Sequence, residues 1–350
     1  MRAFSAADSV SLAIQRTREF LFAPFNWGTY LKLGLVAIIT EGSWSSLRSS
    51  SKGASHSSGT GPMISSPFHI PAIWIAASVA AVLLVIVVSL FVFYLITRLR
   101  FAFFHCLVYK TKEIRPGWRL YREPASRFFW LNVVVGFCFL ALVGLLSLPF
   151  VAGFWRLFRE TQHAARPDIG MLLSLVLPLI PIILVLVLVG LVTDLVLRDW
   201  MMPHYALDNA TAGEAWAEVW ASIKAEHRQF LAYILLRVVL PTIAMVALFM
   251  VLLIPGAILA GAFGAIEYGV HSAFANSTGG AAVAGTMLQA FFALVALIFM
   301  ALAGICLGGP LSTGIREYAL LFYGGRYPVL GNILEPPAPE LLHGAAPEPA

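Results

Sequence analysis

Long apolar runs alternate with short polar connections along most of the chain. A bilayer crossing takes about 20 mostly apolar residues. Phe68 to Thr97, Phe128 to Trp155, Gly170 to Leu197, Phe230 to Ile254 and Ala281 to Leu307 each meet that length. A sixth run, about 24–40, is shorter and carries Asn26 and Lys32, with Lys32 able to reach the interface by snorkelling. A further stretch, 256–274, is apolar but rich in glycine and alanine and holds Glu267, so it reads as a re-entrant or interfacial segment. The fold expected is an all-α integral membrane protein with six transmembrane helices in three hairpins. It forms a single polytopic domain over 1–326. Residues 41–67, dense in serine and glycine, read as a flexible loop, and the Pro/Ala/Glu-rich stretch 327–350 as a disordered tail.

Composition agrees with that pattern and narrows the function classes. Hydrophobic residues make up 59% of the chain and charged residues 12%, with mean hydropathy +0.84. So few charges cannot coat a soluble globule, which excludes a soluble enzyme, a disordered protein and a nucleic-acid binder. The net charge of +5 reports topology instead. Sixteen of the 23 basic side chains fall in the N-terminus, the connections 98–127 and 198–228, and the stretch after the last span. The positive-inside rule then places both termini in the cytoplasm and the chain in the cell's inner membrane, with an even number of crossings. The three cysteines show no CxxC and no metal-ligand spacing.

Three segments, beginning near Ser5, Glu113 and Thr211, share one layout: an amphipathic stretch, a span, an outer connection and a returning span. They read as an internal repeat in parallel orientation, unlike the inverted repeats of many carriers. The third amphipathic stretch is the best defined. Thr211 and Glu214 have capping-box spacing, and Trp216, Val219, Trp220 and Ile223 follow at helical intervals. Such an interfacial helix, with Trp216 and Trp220 at the headgroup level, braces the bundle end or docks a lipid or partner.

Ionisable residues within spans are the first functional suspects. Lys32 and Arg237 lie about two turns in from the basic edge, and Asp194 about one turn in. If these three side chains meet, they form either a register-fixing ion pair or a site for an anionic ligand or lipid headgroup. Asp199, His204 and Asp208 tempt a metal assignment, but Pro203 is expected to break the helix and the three do not share one helical face, so no metal site and no cofactor are expected. Pro178, Pro181 and Pro241 read as ordinary kinks, and Gly304-x-x-x-Gly308 as a small-residue spacing that glycine-rich sequence produces by chance. No nucleophile motif, phosphate loop or dinucleotide fingerprint is present, so nothing argues for catalysis.

Two passages carry a resemblance. Phe22-Ala-Pro-Phe-Asn26 is followed by Tyr30-Leu-Lys-Leu-Gly34, and Asp199-Trp-Met-Met-Pro203 by Glu214-Ala-Trp216 and Phe230-x-x-Tyr233. They resemble uncharacterised bacterial polytopic membrane proteins similar to the membrane domain of glycerophosphoryl diester phosphodiesterases. A catalytic barrel takes about 250 further residues, so the resemblance implies a stand-alone membrane module and transfers no catalytic residue. The function expected is a non-enzymatic module that binds membrane lipids, including anionic headgroups, or a protein partner at the cytoplasmic face. The alternative is a transporter or permease-like carrier for a small anionic or lipid-derived ligand, with Lys32, Asp194 and Arg237 as its polar site.

Overall fold

A computed structural model describes residues 5–41, 72–163, 169–274 and 279–335. The Ser/Gly loop beyond Glu41 and the chain after 335 lie outside the described residues. Every regular element among those described is helical: α1 (Asp8–Phe22), α2 (Trp27–Glu41), α3 (Ala72–Val108), α4 (Ile114–Leu120), α5 (Arg122–His163), α6 (Ile169–Leu195), α7 (Met202–Leu207), α8 (Ala212–Ala225), α9 (His227–Phe274), α10 (Gly280–Gly324) and α11 (Pro328–Leu334). A π turn, Val196–Met201, joins α6 to α7.

Five helices are long and apolar enough to cross a membrane: α3, α5, α6 with its continuation to Leu207, α9 and α10. The most apolar window of each contains no buried residue. Apolar surface on that scale is stable only against lipid. The stretch expected as a sixth span is α2, of fifteen residues. It is not among those five: as far as it is described, to Glu41, it is about 22 Å long at 1.5 Å per residue. Its apolar face is spent on α10: Tyr30 donates to the Cys306 carbonyl, Gly34 lies against Ile305 and Gly309, and Glu41 pairs with Arg316. The residue numbers rise together, so α2 runs alongside α10 in the same direction.

The 256–274 stretch is not re-entrant. It continues α9, which has 48 residues and is about 72 Å long at 1.5 Å per residue. Alanine, the best helix former, offsets the weak propensity of the glycines there. Residues 328–334, expected within the disordered tail, form α11 with Leu330 and Leu334 buried. Pro328 suits the first turn of a helix, and the two leucines share one face at i,i+4 spacing.

The described helices fall into two units. The first holds Met1–Val92, Ala102–Gly117 and Arg228–Ala350; the second holds Phe93–Phe101 and Trp118–His227. In the first, the core sits at the C-terminal end of α10, where Thr313 and Arg316 to Gly324 are buried. Phe230, Tyr233, Tyr318 and Phe322 stack there, with Tyr233 and Phe322 ring centres 4.3 Å apart. In the second, Phe101, Phe128 and Tyr205 pack edge to face, beside buried Trp200, Met202, Ala215 and Val219. Each unit thus buries side chains at one end of its long helices and leaves the apolar spans bare.

Candidate functional site

The first unit's site is built around the end of α10. The helix α1 is amphipathic, burying Ser9, Ala13, Thr17, Phe20 and Leu21 on one face. Asn26, from the Phe-Ala-Pro-Phe-Asn stretch, caps α2 by accepting the Gly28 N–H at 3.0 Å. The closest backbone approach is between α2 and α10: a Cβ on Gly309 would lie 2.7 Å from the Gly34 Cα. The small-residue contact therefore runs through Gly309, while Gly304 of the expected spacing faces open space.

Charge concentrates at this end. Arg16 of α1 pairs with Glu317 of α10 at 3.1 Å, and Glu317 is fully buried. The Arg16 guanidinium also donates to the carbonyls of Leu107 in α3, at 3.3 Å, and of Leu334 in α11, at 3.5 Å. Beside it, Glu41 takes Arg237 at 3.4 Å and Arg316 at 3.8 Å, and Arg237 donates to the Ile315 carbonyl. Glu41, Arg316 and Glu317 are the members of this network that the hydropathy reading passed over. The available signal was the Arg316-Glu317 dipeptide leading straight into the apolar run from Tyr318, a place where charge needs a partner.

The same unit holds a cavity of about 400 Å³, lined by Thr17, Ile315 and Tyr318, chain neighbours of the paired residues. Ala13 and Thr17 of α1, Leu240 and Ala244 of α9, and Leu311 and Ile315 of α10 form its apolar walls, and the exposed Arg18 also lines it. Of the residues singled out by sequence, Arg237 belongs to the ion-pair network and Lys32 is exposed on α2. Asp194 belongs to the second unit, where it is exposed and lies 3.7 Å from Arg198. Arg237 thus finds its carboxylate in Glu41, and Asp194 finds its cation four residues on.

The second unit has its own cavity, about 520 Å³, walled by Leu131 and Val135 of α5, Val192 of α6, Val196 of the π turn and Trp216 of α8. The capping box at α8 forms as expected. Thr211 accepts the Glu214 N–H, and its own N–H and hydroxyl donate to the Glu214 carboxylate, both at 2.8 Å. Those two bonds hold the Glu214 carboxyl below its ordinary value. Ala215 and Val219 are the buried contacts of α8. Trp216 and Trp220 stack with ring centres 5.8 Å apart and stay half exposed, with Lys224 over the Trp220 ring.

Pro203 does not break the chain direction. It lacks the N–H that would bond four residues back, and the π turn before it absorbs the loss by widening the helix. His204 and Asp208, four apart, therefore share a face of one helix, and Glu218 of α8 joins them. The imidazole Nδ1 lies 3.0 Å from the Glu218 carboxylate and 3.7 Å from that of Asp208. Asp199, His204 and Asp208 do not come together as a trio; His204 and Asp208 do, with Glu218 of α8, a residue the sequence reading did not weigh for a metal. Asp199 itself is buried in the π turn.

Five lipid-length helices with polar chemistry gathered at their ends define a helical membrane protein. Over residues 4–333 the chain matches the model of a family of unknown function (DUF7544), and it belongs to that family. No curated protein and no solved structure matches it.

Proposed function

We propose that this protein is a non-enzymatic inner-membrane module that holds a phospholipid at the cytoplasmic end of its spans. The observation that carries this reading is the first unit's cavity. Its walls are apolar, exposed Arg18 is the charged residue among its lining, and Thr17, Ile315 and Tyr318 of that lining are chain neighbours of the paired Arg16, Arg316 and Glu317. An acyl chain fits such walls, and an arginine fork suits a phosphate headgroup. Arg237 enters this reading through its pair with Glu41, and Lys32 as an exposed cation on α2. Basic residues concentrate at this end, which supports its cytoplasmic orientation. The contact of Arg16 with Leu334 brings the first and last described helices together, and this reading, with both termini on one side, takes the 24–40 run as the sixth crossing. The family match does not extend to the phosphodiesterase membrane domain, and the resemblance to it bears only on the idea of a stand-alone lipid-handling module.

The test is mass spectrometry of lipid retained by the full chain in mild detergent. Ala244→Trp fills the cavity from α9, and the expected result is loss of most retained phospholipid. Arg18→Ala and Lys32→Ala should shift the retained lipid away from anionic species. Unchanged lipid content and composition in all three variants would overturn the proposal.

A further inference from the structure

Independently of the lipid reading, we infer that His204, Asp208 and Glu218 form a zinc-class divalent metal site in the second unit. Their donor atoms lie within 4.8 Å of one another, a group found once among the described residues. In a tetrahedral site, metal bonds of about 2.0–2.2 Å place ligand atoms roughly 3.3–3.6 Å apart. The His204–Glu218 separation of 3.0 Å lies just below that spacing and the His204–Asp208 separation of 3.7 Å just above it, so small side-chain rotations bring both to it.

Placement also fits a metal. The His204 side chain is 2% exposed and fixed among packed neighbours, while Asp208 and Glu218 are 37% and 60% exposed. A buried imidazole and two exposed carboxylates thus face one small space. The backbone itself is set by two local devices. The π turn presents His204 and Asp208 on one face, and the capping box starts α8 where Glu218, one turn on, reaches the imidazole.

The alternative occupant of this space is a proton on Nδ1. One Nδ1 proton or one lone pair serves a single carboxylate, whereas a cation satisfies one nitrogen and two oxygens together. Nitrogen with two carboxylates is a borderline donor set, suited to zinc and its transition-metal neighbours over calcium or magnesium. Three protein ligands leave the fourth zinc position for water. A bound ion would clip α8, and the Trp216–Trp220 pair it carries, to α7.

The experiment uses the full chain purified without a polyhistidine tag, stripped with chelator and titrated with zinc chloride against a competing indicator, with magnesium chloride as comparison. One equivalent of zinc should bind, with affinity at least tenfold weaker in E218Q and in D208N and no comparable uptake of magnesium. Both substitutions are exposed and preserve shape, so they carry the test even if H204A fails to fold. Absence of zinc uptake overturns the site. Uptake unchanged in E218Q and D208N also overturns it, because the ion would then bind elsewhere, and loss in H204A alone overturns the three-ligand assignment.

Discussion

The Arg16–Glu317 pair offers the sharpest test of how the first unit is held together. Glu317 is fully buried and the Arg16 side chain is 11% exposed. Removing one partner of a buried pair leaves an uncompensated charge, at a cost of about 3–5 kcal/mol. Arg16→Ala does this to Glu317 and also withdraws the donor from the Leu107 and Leu334 carbonyls, worth about 1 kcal/mol each. Glu317→Gln keeps the shape and leaves Arg16 its backbone acceptors, so we expect a smaller loss of about 1–3 kcal/mol. The double replacement Arg16→Met with Glu317→Leu removes both charges and fills the space. Exchanges of this kind are often close to neutral, so the double variant should be more stable than Arg16→Ala alone. Unfolding of the full chain in mixed micelles, followed by circular dichroism, gives all three values. If Arg16→Ala costs under about 1 kcal/mol, or if the double variant costs as much as its two halves added, the charges are not coupled as the geometry requires.

Gly309→Leu places a Cβ 2.7 Å from the Gly34 backbone, where no side chain can yield, and should destabilise the α2–α10 contact by about 1–3 kcal/mol; a Gly309→Leu chain melting like the natural one would contradict the close approach. Thr211→Ala removes the α8 cap and should cost about 1 kcal/mol, read as faster amide exchange over 212–225. Because hydrogen bonds from Thr211 lower the folded carboxyl of Glu214, its share of α8 stability is full above the ordinary value of 4.5 and is lost as pH falls through the lowered folded value. Glu214→Gln should therefore show at neutral pH a loss of α8 protection that the natural chain shows only in acid.

The long spans were legible because a crossing announces itself as an uninterrupted apolar run, and α3, α5, α6, α9 and α10 follow those runs. The run at 24–40 is harder to read for a physical reason. An apolar face looks the same whether it meets lipid or a neighbouring helix, and the glycine that decides the matter, Gly309, lies far away in sequence. The helix α11 had readable signals in Pro328 and the Leu330/Leu334 pair, but the Pro/Ala/Glu composition that follows outweighed them. Lys32, Asp194 and Arg237 were found by their depth in apolar runs. Depth alone gives no partner, and the structure pairs Arg237 with Glu41 and Asp194 with Arg198. The capping box of α8 was read correctly because its chemistry is local, three residues apart.

These outcomes share one cause. Within the hydrocarbon layer a backbone group must bond inside its own helix, and a charge there is expensive, so the spans have little freedom to carry specific chemistry. At the helix ends both constraints relax. There the chain can widen into the π turn at Val196–Met201, bury Arg198 and Asp199, and bring Glu218 to His204. There too α1 can seat Arg16 against Glu317 beside an apolar cavity. Each unit therefore carries an apolar cavity and paired charges near the ends of its long helices. On the proposed lipid reading, selecting an amphiphile takes both, since an apolar wall alone would take any lipid and charges alone any anion. The spans supply the address, and the ends carry whatever discrimination the protein exercises.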